Sequence, residues 1–127
     1  MIARGRSASI GRRGERAVRW WLRLRGWRLL GRNVRVGHDE LDLVVVHPAR
    51  CLLAIVEVKS TAGSGNVINR VDVRKQHRMA RAAERLPVSW RRNRLMRFDV
   101  ATVRVGRWRC RVQYAPGAFD EDRKSVV

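Results

Sequence analysis

The chain has 127 residues, 45% of them apolar, with 29 basic against 11 acidic residues and a formal net charge of +18. That length accommodates one hydrophobic core and excludes a two-domain architecture. The charge excludes a basic partner and calls for an acidic one, nucleic acid first and an anionic membrane surface second.

Residues 1–10 read as a flexible basic arm. Gly11 to Arg25 reads as a helix, with Ala17, Val18, Trp21, Leu22 and Leu24 on an apolar side and Arg12, Arg13, Arg16, Arg19 and Arg23 on a basic one. Gly26 is a plausible stop. Trp27 to Val36 is a first strand, irregular near Gly31, and Gly37-His38-Asp39 is a turn. Glu40 to Val46 is a second strand. It forms a hairpin across His47-Pro48-Ala49-Arg50 with a third, Cys51 to Lys59. Ser60 to Asn69 is a polar loop with Gly63 and Gly65. Arg70 to Leu86 is a second helix, ended by Pro87, and Arg91 to Arg94 is a basic connector. Leu95 to Val105 and Trp108 to Tyr114 are further strands. The expected domain spans 11–115, followed by a flexible tail over 116–127. The fold class is α/β, one mixed sheet flanked by helices with an αβββαβ core.

No stretch approaches the ~20 apolar residues of a membrane span. The N-terminus lacks an apolar signal-peptide core, so the expected location is cytoplasmic. Cys51 and Cys110 have no CxxC spacing and read as small buried residues rather than zinc ligands.

The most informative segment is Glu57-Val58-Lys59. It follows Leu52-Leu53-Ala54-Ile55-Val56, which reads as a strand buried on both faces. Residues two apart on a strand share a side, so this strand presents a carboxylate and an ammonium where it leaves the core. Asp39, Glu40 and Asp42 cluster in the turn and strand that precede it. Counting back from the turn makes Asp42 and Glu57 neighbours across the hairpin. Carboxylates repel one another and repel phosphate. Grouping the few that a basic chain possesses makes sense if a hard divalent cation joins them to a phosphate. The alternative reading of the same residues is a structural ion pair.

Taken in order, these pieces resemble a known core. Asp42, then Glu57-x-Lys59 on the next strand, after a helix carrying Glu15, resembles the PD-(D/E)xK nucleases. The chain is more closely similar to the UPF0102 family of small bacterial proteins, related to archaeal Holliday-junction resolvases. The residues that carry this are Gly14-Glu15 with Ala17, Leu22, Gly26, Asn33, Glu40-Leu41-Asp42-Leu43, Val56-Glu57-Val58-Lys59, Lys75 and Arg97-Phe98-Asp99-Val100, over about residues 11 to 105. Two departures stand out. The family's glycine before Glu-Ile-Asp-Leu is displaced to Gly37, and Ser60-Thr61 replaces an arginine that often follows Glu-x-Lys.

The resemblance implies a restriction-endonuclease-like fold and a metal-dependent DNA endonuclease selective for branched or junction DNA. Asp42, Glu57 and the backbone carbonyl of Val58 would hold Mg²⁺ or Mn²⁺. Lys59 would position the attacking water and stabilise charge on the phosphate. Glu15 would complete the shell directly or through water. Arg12, Arg13, Arg16, Arg19, Arg74, Lys75, Arg78, Arg91 and Arg92 would track phosphates, so binding would fall with salt. Junction cleavage would suit a homodimer.

Other candidates read more blandly. Asp99 beside Phe98 suits a hydrogen bond at the core edge, and His38, His47 and His77 are not spaced as ligands. Trp20, Trp21 and Trp27 read as core, whereas Trp90 and Trp108, beside arginines, suit base stacking. Competing functions are a nucleic-acid-binding module that keeps the fold without cutting and, less favoured, an RNA-binding protein whose Glu-x-Lys is only a salt bridge.

Overall fold

The structure is a computed structural model. It describes the backbone of residues 2–63 and 73–119 and the side chains of residues 8–63 and 73–118. Helix α1 (Ile2–Arg23) is followed by strands β1 (Arg28–Val36), β2 (Asp39–His47) and β3 (Leu52–Ala62). Helices α2 (Val73–Glu84) and α3 (Val88–Arg91) come next, then strands β4 (Leu95–Val105) and β5 (Cys110–Phe119). The strands lie side by side in chain order, β1-β2-β3-β4-β5. Every pairing is antiparallel except β3–β4, which is parallel. A parallel neighbour needs a crossover, and the crossover here carries α2. The expected αβββαβ core with one more strand is what forms.

The alternation of side chains along the strands sorts them into two cores. On one face Val44, Val46, Leu53, Ile55, Phe98 and Val100 pack with Met79, Ala82, Ala83 and Leu86 of and after α2. On the other, Leu43, Val45, Ala54, Val56, Ala101 and Val103 pack against Val18 and Leu22 of α1. The middle of β3, Leu53 to Val56, is buried on both faces, as a nearly continuous apolar run requires.

Helix α1 ends where the sequence places a stop. Gly26 has φ +94°. Its N–H bonds the Arg23 carbonyl, and the Trp27 N–H bonds the Leu22 carbonyl, at 3.2 and 3.1 Å. This is the paired bonding of a glycine cap, completed by contact between Trp27 and Leu22 in the α1-side core.

Several boundaries differ from the sequence reading. Helix α1 begins at Ile2, so it takes in most of the stretch read as an arm. Strand β3 continues to Ala62, so Ser60 and Thr61 belong to the strand. It is held there because β4 pairs with it through Ala62–Val105. Strand β5 runs to Phe119, so residues 116–119, read as tail, lie on the sheet. Residues 64–72, with most of the expected loop and the start of the second helix, lie outside the described residues, as do residues 120–127. Cys51 is exposed rather than buried and Cys110 is partly so; both are free thiols. Cys51 sits at the left-handed end of the 3₁₀ turn Pro48–Arg50 that closes the hairpin. No helix among the described residues is long and apolar enough to cross a membrane.

Candidate functional site

The β2–β3 ladder pairs Leu43 with Val56 and goes no further. Asp42 and Glu57 occupy the next positions on the two strands, where they part. In place of the next ladder bond, the Val58 N–H donates to Asp42 Oδ2 at 2.9 Å. The two carboxyl groups lie close enough for the charge of Asp42 to act on Glu57.

Strand β2 changes facing at this point. Leu41 packs in the α2-side core and Leu43 in the α1-side core, although residues two apart normally share a face. The neighbouring strand is irregular in the same place, with Asn33 held at φ +50°. The kink turns Asp42 toward α1. There it lines a cleft of about 620 Å³ with Arg12, Glu15, Asn33, Val58 and Ser60.

Gly14 explains how α1 comes so near. A Cβ at this position would stand 1.9 Å from Ser60 Oγ and 2.9 Å from Ser60 Cβ. Only a glycine lets the helix lie this close to β3, and its neighbour Glu15 is thereby set on the cleft wall.

Glu57 is 4% exposed although it is an acid. Lys75, from α2, donates to its Oε1. Burial pushes the Glu57 pKa up, and the Asp42 charge pushes it further; Lys75 pulls the other way. Burial likewise raises Asp42, against the opposing pull of the Val58 N–H and of Lys75. Lys59 follows two residues after Glu57, half-buried, level with the buried Thr102 of β4.

The expected site residues thus separate into those brought together and those kept apart. Asp42, Glu57 and Val58 converge, and Lys59 and Glu15 flank them. Glu15, expected to complete a metal shell directly or through water, lies on the cleft wall. It shares a wall with Asp42, and among the described residues no three His, Cys, Asp or Glu side chains cluster closely enough to hold a metal. Lys75, expected on phosphate, is the ion-pair partner of Glu57. The buried Glu57 and half-buried Asp42 offer hard carboxyl oxygens, which fit Mg²⁺ or Mn²⁺. Such ions commonly take one or two carboxylates and complete their shell with phosphate oxygens and water.

Of the expected phosphate-tracking arginines, Arg12, Arg16, Arg74, Arg78 and Arg92 are exposed, and Arg13 and Arg19 are half-buried. Arg91 is drawn inward: its Nε donates to the Leu86 carbonyl at 3.1 Å, beyond the end of α2. Among the tryptophans, Trp27 is core, as expected. Trp20 is not: it is 55% exposed. Trp21 stacks on Tyr114 at 4.7 Å with the Arg25 guanidinium over its other side at 3.6 Å. Trp90 packs against the α2-side core, whereas Trp108 is 84% exposed.

The sequence reading put Asp99 in a hydrogen bond but missed its extent. Fully buried, it accepts from Arg97 Nε and Nη2 at 2.8 and 3.0 Å, from the Gly117 N–H at 2.8 Å and from the Tyr114 hydroxyl. The bond to Asp99 raises the Arg97 pKa, and burial together with the Asp99 charge raises that of Tyr114. The spacing Arg97-x-Asp99 was the available signal, since it puts both side chains on one face of a strand.

Comparison with known proteins bears on this arrangement. The family model described as "Uncharacterised protein family UPF0102" matches residues 14–103. The chain belongs to the UPF0102 family. A UPF0102 protein of Syntrophotalea carbinolica is 39% identical over 117 residues, covering 90% of this chain and 94% of the relative. One of Myxococcus xanthus is 39% identical over 112 residues, covering 87% and 88%. One of Anaeromyxobacter dehalogenans is 38% identical over 125 residues, covering 93% and 88%. The UPF0102 match opens on Gly14, the close-approach glycine, and closes in β4 beyond Thr102. Glu15, Asp42, Glu57, Lys59 and Lys75 all fall inside it.

Proposed function

We propose that this UPF0102 protein is a metal-dependent endonuclease that hydrolyses phosphodiester bonds in DNA, selecting branched or junction substrates. The observation that carries the reading is the adjacent pair of the half-buried Asp42 and the buried Glu57. Two acids pressed together, with raised pKa values, in a chain of net charge +18, are an unfavourable arrangement that a shared divalent cation relieves.

In this reading Asp42, Glu57 and the Val58 carbonyl hold Mg²⁺ or Mn²⁺. The bound ion supplies Lewis acidity toward the phosphate and a water of lowered pKa. Lys59 orients the attacking water and answers the charge that develops on the phosphate oxygens. Arg12 and the exposed arginines of α1 and α2 bind the strand backbone. Water adds to phosphorus and loses a proton to solvent, the P–O3′ bond breaks, the departing O3′ takes up a proton as a 3′-hydroxyl, and the product keeps a 5′-phosphate. Symmetric cutting of a junction takes two copies of the chain.

One observation favours a second reading. Lys75 already places a protein-borne cation on Glu57, which suits a nucleic-acid-binding module that keeps the fold without cutting.

The test is cleavage of labelled four-way junction, flap, single-stranded and duplex DNA with Mg²⁺ or Mn²⁺. The native chain is compared with Glu57→Ala and Lys59→Ala. We expect cutting of branched DNA, lost by at least 100-fold in both variants with binding retained. Binding without cutting on every substrate would replace the nuclease reading with the module.

A further inference from the structure

Arg12, Arg16, Arg19 and Arg23 follow one another on α1 at intervals of four, three and four residues, so they form one stripe along the helix. The stripe starts at the Asp42 cleft, which Arg12 lines. It ends at a second cleft of about 600 Å³ between α1 and β1, lined by Arg16, Arg19, Arg23 and Arg28. At 1.5 Å per residue the stripe is about 16 Å long.

The second cleft is not a plain basic surface. Trp20 lines it at 55% exposure and Leu29 at 44%, and the buried Trp27 forms part of its floor. The Arg23 guanidinium lies 5.5 Å from the Trp20 ring centre. The Arg19 Nε is buried and has no hydrogen-bond partner among the described residues. A buried donor without an acceptor is unfavourable. An indole edged by guanidinium groups is the chemistry that holds an unpaired base and its flanking phosphates.

We infer that the α1–β1 cleft is a single-strand site: one unpaired base stacks on Trp20 and Leu29 while Arg16, Arg19, Arg23 and Arg28 hold its flanking phosphates. The stripe then leads the same strand toward Asp42. Charge complementarity selects this occupant over an apolar peptide, and the exposed ring selects a strand with free bases over a blunt duplex, whose base faces are covered. The inference deepens the nucleic-acid part of the proposed function and does not require cutting.

The test is the binding of a fluorescein-labelled 12-nucleotide oligothymidylate and of a blunt 12-base-pair duplex, followed by anisotropy in EDTA, where no metal-dependent cutting occurs. Trp20→Ala should weaken oligothymidylate binding by about 10-fold or more and leave the duplex unchanged. Trp20→Phe should retain most of the single-strand affinity, and circular dichroism should report the same fold in both variants. Equal loss on both probes, or no loss on either, overturns the site. So does a Trp20→Ala chain that sediments as a smaller species than the native one, because the cleft would then be covered by a second copy. Failure of the cleavage assay with this binding pattern intact removes the nuclease reading alone.

Discussion

Asp42 and Glu57 are held where their charges are least comfortable. Both carboxyl groups have pKa values raised above the ordinary range near about 4. A raised folded pKa means that folding takes up protons. The contribution of these groups to stability is therefore fully present below the unfolded value and is lost as pH rises through the folded values. Without metal, Asp42→Asn should stabilise the fold at pH 7–8 by about 1 kcal/mol, a few degrees in Tm, and flatten the acid side of the profile. An asparagine oxygen still accepts from the Val58 N–H, so the local bond survives. Added Mg²⁺ should raise the native Tm and leave that of the variant unchanged. Thermal melts from pH 4 to 8 check both, and a variant less stable than the native chain at every pH would show that the pair is structural.

Two contacts between elements decide whether the site is assembled. Gly14 is the point where α1 meets β3, and added bulk there has nowhere to go against Ser60. Gly14→Ala should cost about 1–3 kcal/mol, the usual penalty for overpacking, and should also disturb the Asp42 cleft by lifting Arg12 and Glu15. Ser60→Gly should recover part of that loss, so the two changes should couple in denaturant titrations of the single and double variants. Additive losses would mean that the helix does not press on Ser60. At the far side of the sheet, Asp99 ties β4 to β5 through Arg97, Tyr114 and Gly117. Asp99→Ala takes the buried acceptor away from Arg97, Tyr114 and the Gly117 N–H and should cost about 1–3 kcal/mol. A guanidinium chloride midpoint close to the native one would count against that network.

Over the whole molecule the excess positive charge sets both partner and conditions. A chain at +18 repels itself, and a bound polyanion relieves that repulsion. Duplex affinity should fall steeply with salt, with a slope of about −0.9 in log K against log salt for each phosphate neutralised. Arg74→Glu with Arg78→Glu, both on the exposed side of α2, should weaken duplex binding by about 10-fold or more and make the slope shallower, with Mg²⁺ binding untouched. A salt-independent affinity would remove phosphate tracking from the account. The same charge explains why the acids matter: in so basic a chain, a carboxyl pair held side by side at the edge of the core must answer a local need.

The amino-acid pattern by itself determined the sheet, because apolar alternation and turn residues are local signals. β4 was legible as Leu95–Val105 to the residue, the irregularity near Gly31 appeared as a register shift, and Gly26 ended α1. It also determined the pairing of Asp42 with Glu57, since a hairpin register follows from counting back from its turn. Only the tertiary structure decided the facing of Asp42, because the kink at Asp42 and Asn33 obeys packing on both sides of the sheet. It alone decided that Lys75 reaches Glu57 and that Tyr114 reaches Asp99, contacts spanning 18 and 15 residues. It also turned Trp20 outward while Trp21 and Trp27 turned in. Periodicity assigns a helix a side but not its width, and where α1 meets β1 the cleft, not the sequence, sets which tryptophan is left in the open.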